Sequence, residues 1–235
     1  MKPHNDLPTF EVKLPSNGKK LSMRPFTVRE EKLLLMAVES EDVKDIIETT
    51  LQVVRNCIQE GAPADLDKLP FFDVDYLFIA LRAKSIGEKV AVEYTCSKCD
   101  AKYKSEIDIQ NCKVDKNSAI KKNIDLGNMV FTMKYPSYST MKILNENNHD
   151  VDKKIEIIYG ATEYVTQKDT VYKVDVDMSK KETIELIEGL TQSQFKKLEE
   201  FVDNFPSFMV ENKSKCPKCK TEHIVQYKDF SRFFV

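Results

Sequence analysis

The chain has 235 residues, of which 41% are hydrophobic and 31% are charged, a composition typical of a globular protein with a core of ordinary size. A formal net charge of −2 and a pI of about 6.0 exclude a strong overall field for nucleic acid or a membrane surface. No apolar run reaches the ~20 residues of a transmembrane helix, and the polar segment 1–10 lacks the apolar stretch of a secretory signal.

The first predicted element is a β-hairpin over residues 9–26, within an N-terminal region 1–26. Apolar and polar residues alternate on both arms. Ser16, Asn17 and Gly18 lie between the arms and have the composition of a tight turn.

Residues 27–87 are predicted to be helical. Thr27 and Glu30 form a capping box for the first helix, Gly61 has the position of a C′ residue after the second, and Asp73 is the expected N-cap of the third. A 3.6-residue apolar period supports the long second helix. The first helix is expected to end at about residue 39 and the second to cover about residues 41–60. The third is expected to end at about residue 86.

Residues 88–112 change from the helical period to the two-residue period of strands. Apolar residues alternate up to Cys96, and the alternation resumes after Cys99. A second CxxC pair in region 208–235 has the same kind of flanks. Each pair is therefore predicted to lie in the turn of a β-hairpin.

The region between these hairpins, residues 113–207, is predicted to mix helices and short strands. Ser179 with Glu182, and Thr191 with Gln194, form two further capping boxes, each opening an amphipathic helix. The other predicted elements are strands over about 129–135 and 170–174, and helices over about 138–147 and 150–163.

Four cysteines occur as the two CxxC pairs Cys96 with Cys99 and Cys216 with Cys219. In a reducing cytoplasm, where we expect this protein, cysteines serve as metal ligands or free thiols and not as disulfides. Two pairs complete the tetrahedral shell that Zn²⁺ prefers, and four cysteines leave no open position. We therefore predict one structural zinc ion. Because 116 residues lie between Cys99 and Cys216, the fold must build the site.

These elements predict an α+β fold, with helices packed on short antiparallel sheets. The two CxxC hairpins should form a zinc-ribbon-like pair at one edge. The five regions 1–26, 27–87, 88–112, 113–207 and 208–235 are expected to form one zinc-linked unit.

Seven lysines surround the CxxC pairs and allow two interpretations. Their positive charge can stabilise a negatively charged zinc–thiolate centre, or it can form a basic patch that binds the phosphates of nucleic acid. The acidic pI and the lack of an aromatic ladder oppose the second interpretation, so a nucleic-acid-binding zinc ribbon is the alternative function. The lysines are Lys98, Lys102, Lys104, Lys213, Lys215, Lys218 and Lys220.

The second pair, in the sequence Cys-Pro-Lys-Cys, also resembles a thiol–disulfide exchange motif. Oxidoreductases place such a motif at a helix N-terminus, which lowers the thiolate pKa. Strand-forming residues follow here, namely Thr221, Ile224 and Val225. A CxxC oxidoreductase is therefore the less favoured alternative.

No other residue pattern predicts catalysis. His223 could replace a metal ligand but is expected to be a surface residue of a strand, Cys57 a buried thiol, and Cys112 a free cysteine or an alternate ligand. The chain contains no GxSxG, Walker-type, HExxH or GxGxxG motif. We therefore expect neither enzymatic activity nor a small-molecule substrate.

Two segments resemble a known family. Residues 23–36, MRPFTVREEKLLLM, and residues 69–88, LPFFDVDYLFIALRAKSIGE, are similar to baseplate hub subunits and hub assembly proteins of T-even-type contractile-tailed bacteriophages. The resemblance extends over about residues 9–235, including both CxxC pairs. It implies a non-enzymatic role in building the baseplate hub in the host cytoplasm, with other hub proteins as partners and the virion tail as a further location.

The C-terminal segment 229–235 contains Phe230, Phe233 and Phe234, an unusual density of aromatic residues for a solvated tail. These side chains either dock into a partner protein or fold back onto the core of the chain. Both interpretations are open at the level of sequence.

Overall fold

The computed structural model describes residues 7–63, 65–115, 122–143 and 150–227. Helices alternate with short strands that pair antiparallel, and the predicted α+β fold class is confirmed. In chain order the elements are β1 (Phe10–Lys13), β2 (Lys20–Met23), α1 (Val28–Glu39), α2 (Val43–Cys57), β3 (Ile58–Glu60), α3 (Phe71–Ser85), β4 (Lys89–Thr95), β5 (Lys102–Asp108), a 3-10 helix (Ile109–Asn111), β6 (Lys113–Asp115), β7 (Asn123–Asp125), β8 (Met129–Met133), α4 (Tyr138–Ile143), α5 (Asp150–Ala161), β9 (Thr162–Gln167), β10 (Thr170–Lys173), α6 (Lys180–Glu188), α7 (Gln192–Asp203), β11 (Ser207–Lys215) and β12 (Glu222–Tyr227).

The chain divides into two compact units that are discontinuous in sequence. Unit 1 comprises Met1–Leu66, Phe72–Asp115 and Ser207–Val235. Unit 2 comprises Asp67–Phe71 and Lys116–Pro206. The five predicted regions, and their union into one zinc-linked unit, stay a prediction.

Unit 1 begins with the predicted hairpin of β1 and β2. Val12 lies opposite Leu21 in the register of the two strands, and both side chains are buried. Gly18 closes the turn in the left-handed region with φ +74°, and its N–H donates to the Leu14 carbonyl at 2.8 Å. The predicted capping box of α1 is also present.

The prediction of a helix over residues 41–60 is wrong at its C-terminal end. The helix α2 stops at Cys57, and Ile58–Glu60 forms strand β3, which pairs with β2. Gly61 is consequently not a helix C′ residue. It has φ +76°, and a Cβ atom there would lie 2.7 Å from the Lys20 carbonyl oxygen, so this close approach of β3 to β2 requires glycine.

The predicted role of Asp73 as N-cap of the third helix is also wrong. The helix α3 starts at Phe71, so Asp73 lies in its first turn, where it is completely buried. Its carboxylate accepts a hydrogen bond from the backbone N–H of Ser16 at 2.9 Å and another from the Ser16 hydroxyl. A buried carboxylate needs such donors, and here they come from the turn of the N-terminal hairpin.

The remainder of unit 1 contains the two CxxC hairpins. Strands β4 and β5 form a two-stranded sheet, while β11 lies between β12 and β6 in a three-stranded sheet. Each CxxC pair lies in the connection of its hairpin, between β4 and β5 or between β11 and β12. The prediction that both pairs lie in hairpin turns is therefore confirmed.

Unit 2 is a four-stranded antiparallel sheet, in the order β10-β9-β8-β7, with helices packed against it. Its apolar core includes the buried side chains of Phe131, Ile158, Val165 and Leu198. Apolar burial of this kind stabilises a unit without any metal. The capping boxes predicted for α6 and α7 are both present.

The helix predicted over residues 150–163 ends at Ala161, because Thr162 begins strand β9. This strand pairs with both β8 and β10, so it is central in the sheet of unit 2. The helix predicted over 138–147 is present as Tyr138–Ile143, and residues 144–149 lie outside the described part of the chain. The predicted strands over 129–135 and 170–174 are present as β8 and β10.

Candidate metal centre

Backbone hydrogen bonds close the first CxxC turn and fix the position of its two cysteines. The Cys96 N–H donates to the Ala101 carbonyl at 3.0 Å, and the Asp100 N–H donates to the Cys96 carbonyl at 2.9 Å. Asp100 has a φ of +54°, a left-handed conformation that aspartate tolerates better than most residues. Cys96 is buried, whereas Cys99 is half-buried.

The second CxxC turn has the same backbone geometry. The Cys216 N–H donates to the Thr221 carbonyl at 2.9 Å, and the Lys220 N–H donates to the Cys216 carbonyl at 3.0 Å. Lys220 has a φ of +61° and therefore corresponds to Asp100 in the first turn. Again the first cysteine is buried and the second, Cys219, is half-buried.

The structure brings the four cysteines into one cluster within unit 1. The sulfurs of Cys96, Cys99, Cys216 and Cys219 all lie within 4.8 Å of one another. Across the two turns, the sulfurs of Cys96 and Cys219 are 3.5 Å apart, and those of Cys99 and Cys216 are 3.7 Å apart.

These distances fit the shell of a tetrahedral metal ion. A Zn–S bond of about 2.3 Å gives an S···S edge of about 3.8 Å in a regular tetrahedron. A disulfide requires about 2.05 Å between the sulfurs, and all six cysteines of the chain are free. A donor set of four sulfurs suits zinc among the common protein metals, so the residues present fit the predicted ion.

Hydrogen bonds lower the pKa of both thiols in the second turn. The hydroxyl of Thr221, followed by its backbone N–H, lowers the pKa of the Cys219 thiol to about 6. Backbone N–H groups of Cys219 and Lys218 lower the pKa of the Cys216 thiol despite the opposing effect of desolvation. Both effects are hydrogen bonds to the charged form of the sulfur.

The first turn holds a more basic thiol. The Ala101 N–H favours the Cys99 thiolate, but desolvation and the sulfurs of Cys219, Cys96 and Cys216 outweigh it and raise the pKa of Cys99 to about 12. Four sulfurs this close repel one another when all are deprotonated. A cation bound among them would offset this repulsion, as metal ions do in thiolate sites.

His223 departs from its expected role as a surface residue of a strand. It belongs to β12 and is half-buried, and its Nε2 atom lies 3.3 Å from the sulfur of Cys96. The imidazole therefore contacts a sulfur of the opposite CxxC turn. Its position four residues after Cys219 provided a signal, but the side on which it lies depends on the pairing of the hairpins.

A polar and aromatic contact joins the two hairpins behind the cysteines, and the sequence reasoning missed it. The hydroxyl groups of Tyr103 and Ser214 are 2.9 Å apart and buried, and the Asn212 side-chain amide donates to the Tyr94 hydroxyl at 2.9 Å. Tyr94 and Tyr103 stack with ring centroids 5.6 Å apart. Each of the four residues is two or four positions from a cysteine of its own hairpin. Residues at even spacings along a strand lie on the same face, so the sequence did contain a signal that these side chains share a face with the cysteines.

The seven lysines predicted around the CxxC pairs are all exposed. Lys213 lies 3.5 Å from Glu211, and Lys215 lies 3.8 Å from Glu222, so part of their charge is compensated locally. Aromatic residues are also present in these hairpins, Tyr94 and Tyr103 among them. Tyr103, however, lies between two exposed lysines along β5 and therefore points to the opposite face.

The two cysteines outside the cluster have protonated thiols at neutral pH. Burial raises the pKa of the Cys57 thiol to about 12, and it raises the pKa of the Cys112 thiol to about 12 as well. Cys57 is fully buried, as expected from its helix face. The cluster of potential ligands found in the described residues does not include Cys112.

The fold and the cluster together define a class of protein, an α+β protein in which a four-cysteine centre joins two β-hairpins. A family model described as T4 bacteriophage base plate protein matches residues 7–235. The chain therefore belongs to this family, and the T4-type baseplate part of the sequence resemblance is confirmed. No curated protein and no solved structure matches the chain significantly.

Two further expectations concern the membrane and the C-terminal tail. Among the described residues, no helix is both long enough and apolar enough to span a membrane. Phe230, Phe233 and Phe234 lie outside the part of the chain that the structure describes, so their role as partner contacts stays a prediction.

Proposed function

We propose that this chain is a non-enzymatic structural or assembly protein of the phage baseplate hub, stabilised by one zinc ion. The observation that carries the proposal is the family match over residues 7–235. In this proposal the protein acts through contacts with other hub proteins. It assembles in the host cytoplasm, and the finished tail baseplate is its further location.

The hub assignment rests on the resemblance of residues 23–36 and 69–88 to hub proteins. A structural or assembly role requires no catalytic metal. The shell of four sulfurs supports this view, because it leaves a bound ion no open position for a substrate or water.

Zinc is the proposed ion, and Cys96, Cys99, Cys216 and Cys219 are the proposed ligands. When bound, the ion would cross-link the two CxxC hairpins and add its binding energy to the stability of the fold. The sulfur separations of 3.5 and 3.7 Å support this assignment.

The hub role can be tested by comparing two samples from infected cells. Mass spectrometry of purified virions should detect the chain if it stays in the baseplate, and a pull-down from infected cells should recover hub proteins. If the chain were recovered with hub proteins from infected cells but were absent from purified virions, it would be an assembly factor. Failure to recover any baseplate protein in either sample would contradict the proposal.

The zinc assignment can be tested by elemental analysis of the purified protein. We expect about one zinc per chain. A reversible disulfide without metal would support the oxidoreductase alternative instead. Salt-dependent binding to DNA or RNA would support the zinc-ribbon alternative, since phosphate contacts release counterions.

We also propose that Phe230, Phe233 and Phe234 contact a partner in the hub. Deletion of residues 230–235 should abolish recovery of that partner and leave the melting temperature unchanged. A lower melting temperature with intact partner binding would instead show that the tail packs on the chain itself. Replacing the three phenylalanines by serine keeps the length of the tail and serves as the matched comparison.

A further inference from the structure

Two polar side chains, one just before strand β12 and one within it, contact the cysteine cluster. Thr221, just before the strand, has its Oγ1 atom 3.1 Å from the sulfur of Cys219. His223, two residues later, has its Nε2 atom 3.3 Å from the sulfur of Cys96. Residues two apart along a strand lie on the same face, so this end of β12 contacts one sulfur from each CxxC turn.

The contact of His223 differs from that of Thr221 because it crosses between hairpins. Thr221 contacts a cysteine of its own turn, whereas His223 belongs to the β11–β12 hairpin and contacts a cysteine of the β4–β5 hairpin. The ring of His223 also lies near Tyr103, with 6.4 Å between the centroids. The imidazole is therefore held between the hairpins at the point where they meet.

We propose that His223 is a positioning residue for the metal, which donates its Nε2 hydrogen to the Cys96 thiolate without binding the ion itself. The proposal rests on the proposed zinc site. Four sulfurs already supply the ligands of a tetrahedral ion, so His223 acts on a ligand. A neutral imidazole with its proton on Nε2 is a donor at this atom.

This hydrogen bond has two physical consequences for a bound ion. It offsets part of the negative charge on the Cys96 sulfur and fixes the position of that sulfur, which opposes its loss from the metal. It also holds the first turn against the second, so that Cys96 rebinds after a transient opening. Outer hydrogen-bond partners of metal ligands typically change metal affinity by 10–100-fold.

The test compares full-length zinc-loaded variants at one neutral pH. His223→Phe removes the donor but keeps a ring, and His223→Gln keeps an N–H donor. Gln226→Leu is the control, because Gln226 is an exposed residue on the opposite face of β12. The first measurement is the rate of zinc transfer to a chromophoric chelator, and the second is the sulfur-to-cobalt charge-transfer band after replacement of zinc by Co²⁺.

We expect zinc release about tenfold faster in His223→Phe, within about threefold of the unchanged protein in His223→Gln, and unchanged in Gln226→Leu. The cobalt band should shift to lower energy only in the donor-free variant, because its thiolate is more electron-rich. A purely structural role for the ring would not produce this spectral shift. His223→Ala supplies a second donor-free variant if His223→Phe does not fold.

Two results would overturn the proposal. Equal release rates and equal cobalt bands in the Phe, Ala and Gln variants would show that the hydrogen bond does not act on the metal. The second result is that Cys96→Ser keeps a four-coordinate ion and that the double variant Cys96→Ser with His223→Phe loses it. This result would show that His223 is itself a ligand. If the unchanged protein bound no metal, the proposed zinc site itself would fail, which is a distinct outcome.

Discussion

The apolar core of unit 2 and the CxxC ends of the hairpins in unit 1 bury different kinds of side chain. Unit 2 has a continuous apolar core, in which Phe131 and Leu198 are completely buried. At the CxxC ends of the two hairpins in unit 1, a separate cluster has Cys96, Tyr103 and Cys216 as its buried members, while Ile107 and Val210 are buried further along the same strands. The buried members of the cluster at the CxxC ends are therefore two cysteines and a tyrosine, with no aliphatic side chain among them.

This difference indicates two sources of stability. Burial of apolar area contributes about 25 cal/mol per Å², which is sufficient for a sheet covered by helices. Small structures that bury little apolar area use metals or disulfides as a further source of stability, and a metal at the CxxC ends of the hairpins would act in this way. Loss of the metal should therefore affect the hairpins, and loss of apolar volume should affect unit 2.

The largest expected effect follows from removing a ligand. Cys96→Ser should abolish zinc binding and lower the free energy of unfolding by about 5 kcal/mol or more, because binding energy at a structural zinc site is folding energy. Calorimetry and elemental analysis measure the two effects. Cys112→Ser is the matched control, since Cys112 lies outside the cluster. Unchanged stability in a chelator would contradict a structural ion.

The next effect concerns the apolar core of unit 2. Phe131 has no exposed surface, and Phe131→Ala should destabilise the protein by about 3–5 kcal/mol through the cavity that it leaves. Zinc content should stay at that of the unchanged protein. Denaturant unfolding followed by elemental analysis tests both statements. If the folded variant also lost zinc, this would contradict the statement that the apolar core of unit 2 and the metal stabilise the protein independently.

A smaller effect is expected at the polar contact between the hairpins. Tyr103→Phe deletes the hydroxyl that lies 2.9 Å from the Ser214 hydroxyl and leaves a buried polar group unpaired. The expected loss of stability is about 1–2 kcal/mol. Ser214→Ala in the same background should recover part of it, since both polar groups are then absent. A double-mutant cycle without coupling would show that the contact contributes nothing.

The smallest perturbation is a change of pH in the metal-free protein. The pKa of Cys219 is lowered from 9.0 to about 6 in the fold, so its ionisation stabilises the fold fully above pH 9. That contribution decreases as the pH falls and is lost below about 6. Thermal unfolding of metal-free protein between these limits should show the decrease, and Cys219→Ser should remove it.

The same ionisation predicts selective alkylation. At neutral pH iodoacetamide should modify Cys219 at least about 100-fold faster than Cys57, whose buried thiol has a pKa raised to about 12. Peptide mass spectrometry resolves the two sites. Bound zinc should protect Cys219 and leave the slow reaction of Cys57 unchanged. Equal rates at both sites would contradict the assigned pKa values.

Features that depend on neighbouring residues could be predicted from the sequence. All three capping boxes are present, because a cap and its N3 residue meet within one helical turn. Both CxxC turns lie in hairpins, as the strand alternation on their flanks indicates. Errors occurred where a distant partner decides the local conformation, as at β3, whose pairing with β2 ends α2 early.

The sequence by itself determined the four cysteines and the two turns that present them, because each turn is closed by contacts within six residues. Only the tertiary structure decided that the two turns face each other across 116 intervening residues, with their sulfurs within 4.8 Å. It also decided that His223 lies beside Cys96 and that Tyr103 meets Ser214. Such contacts depend on how the hairpins pack, and packing is a property of the folded chain as a whole.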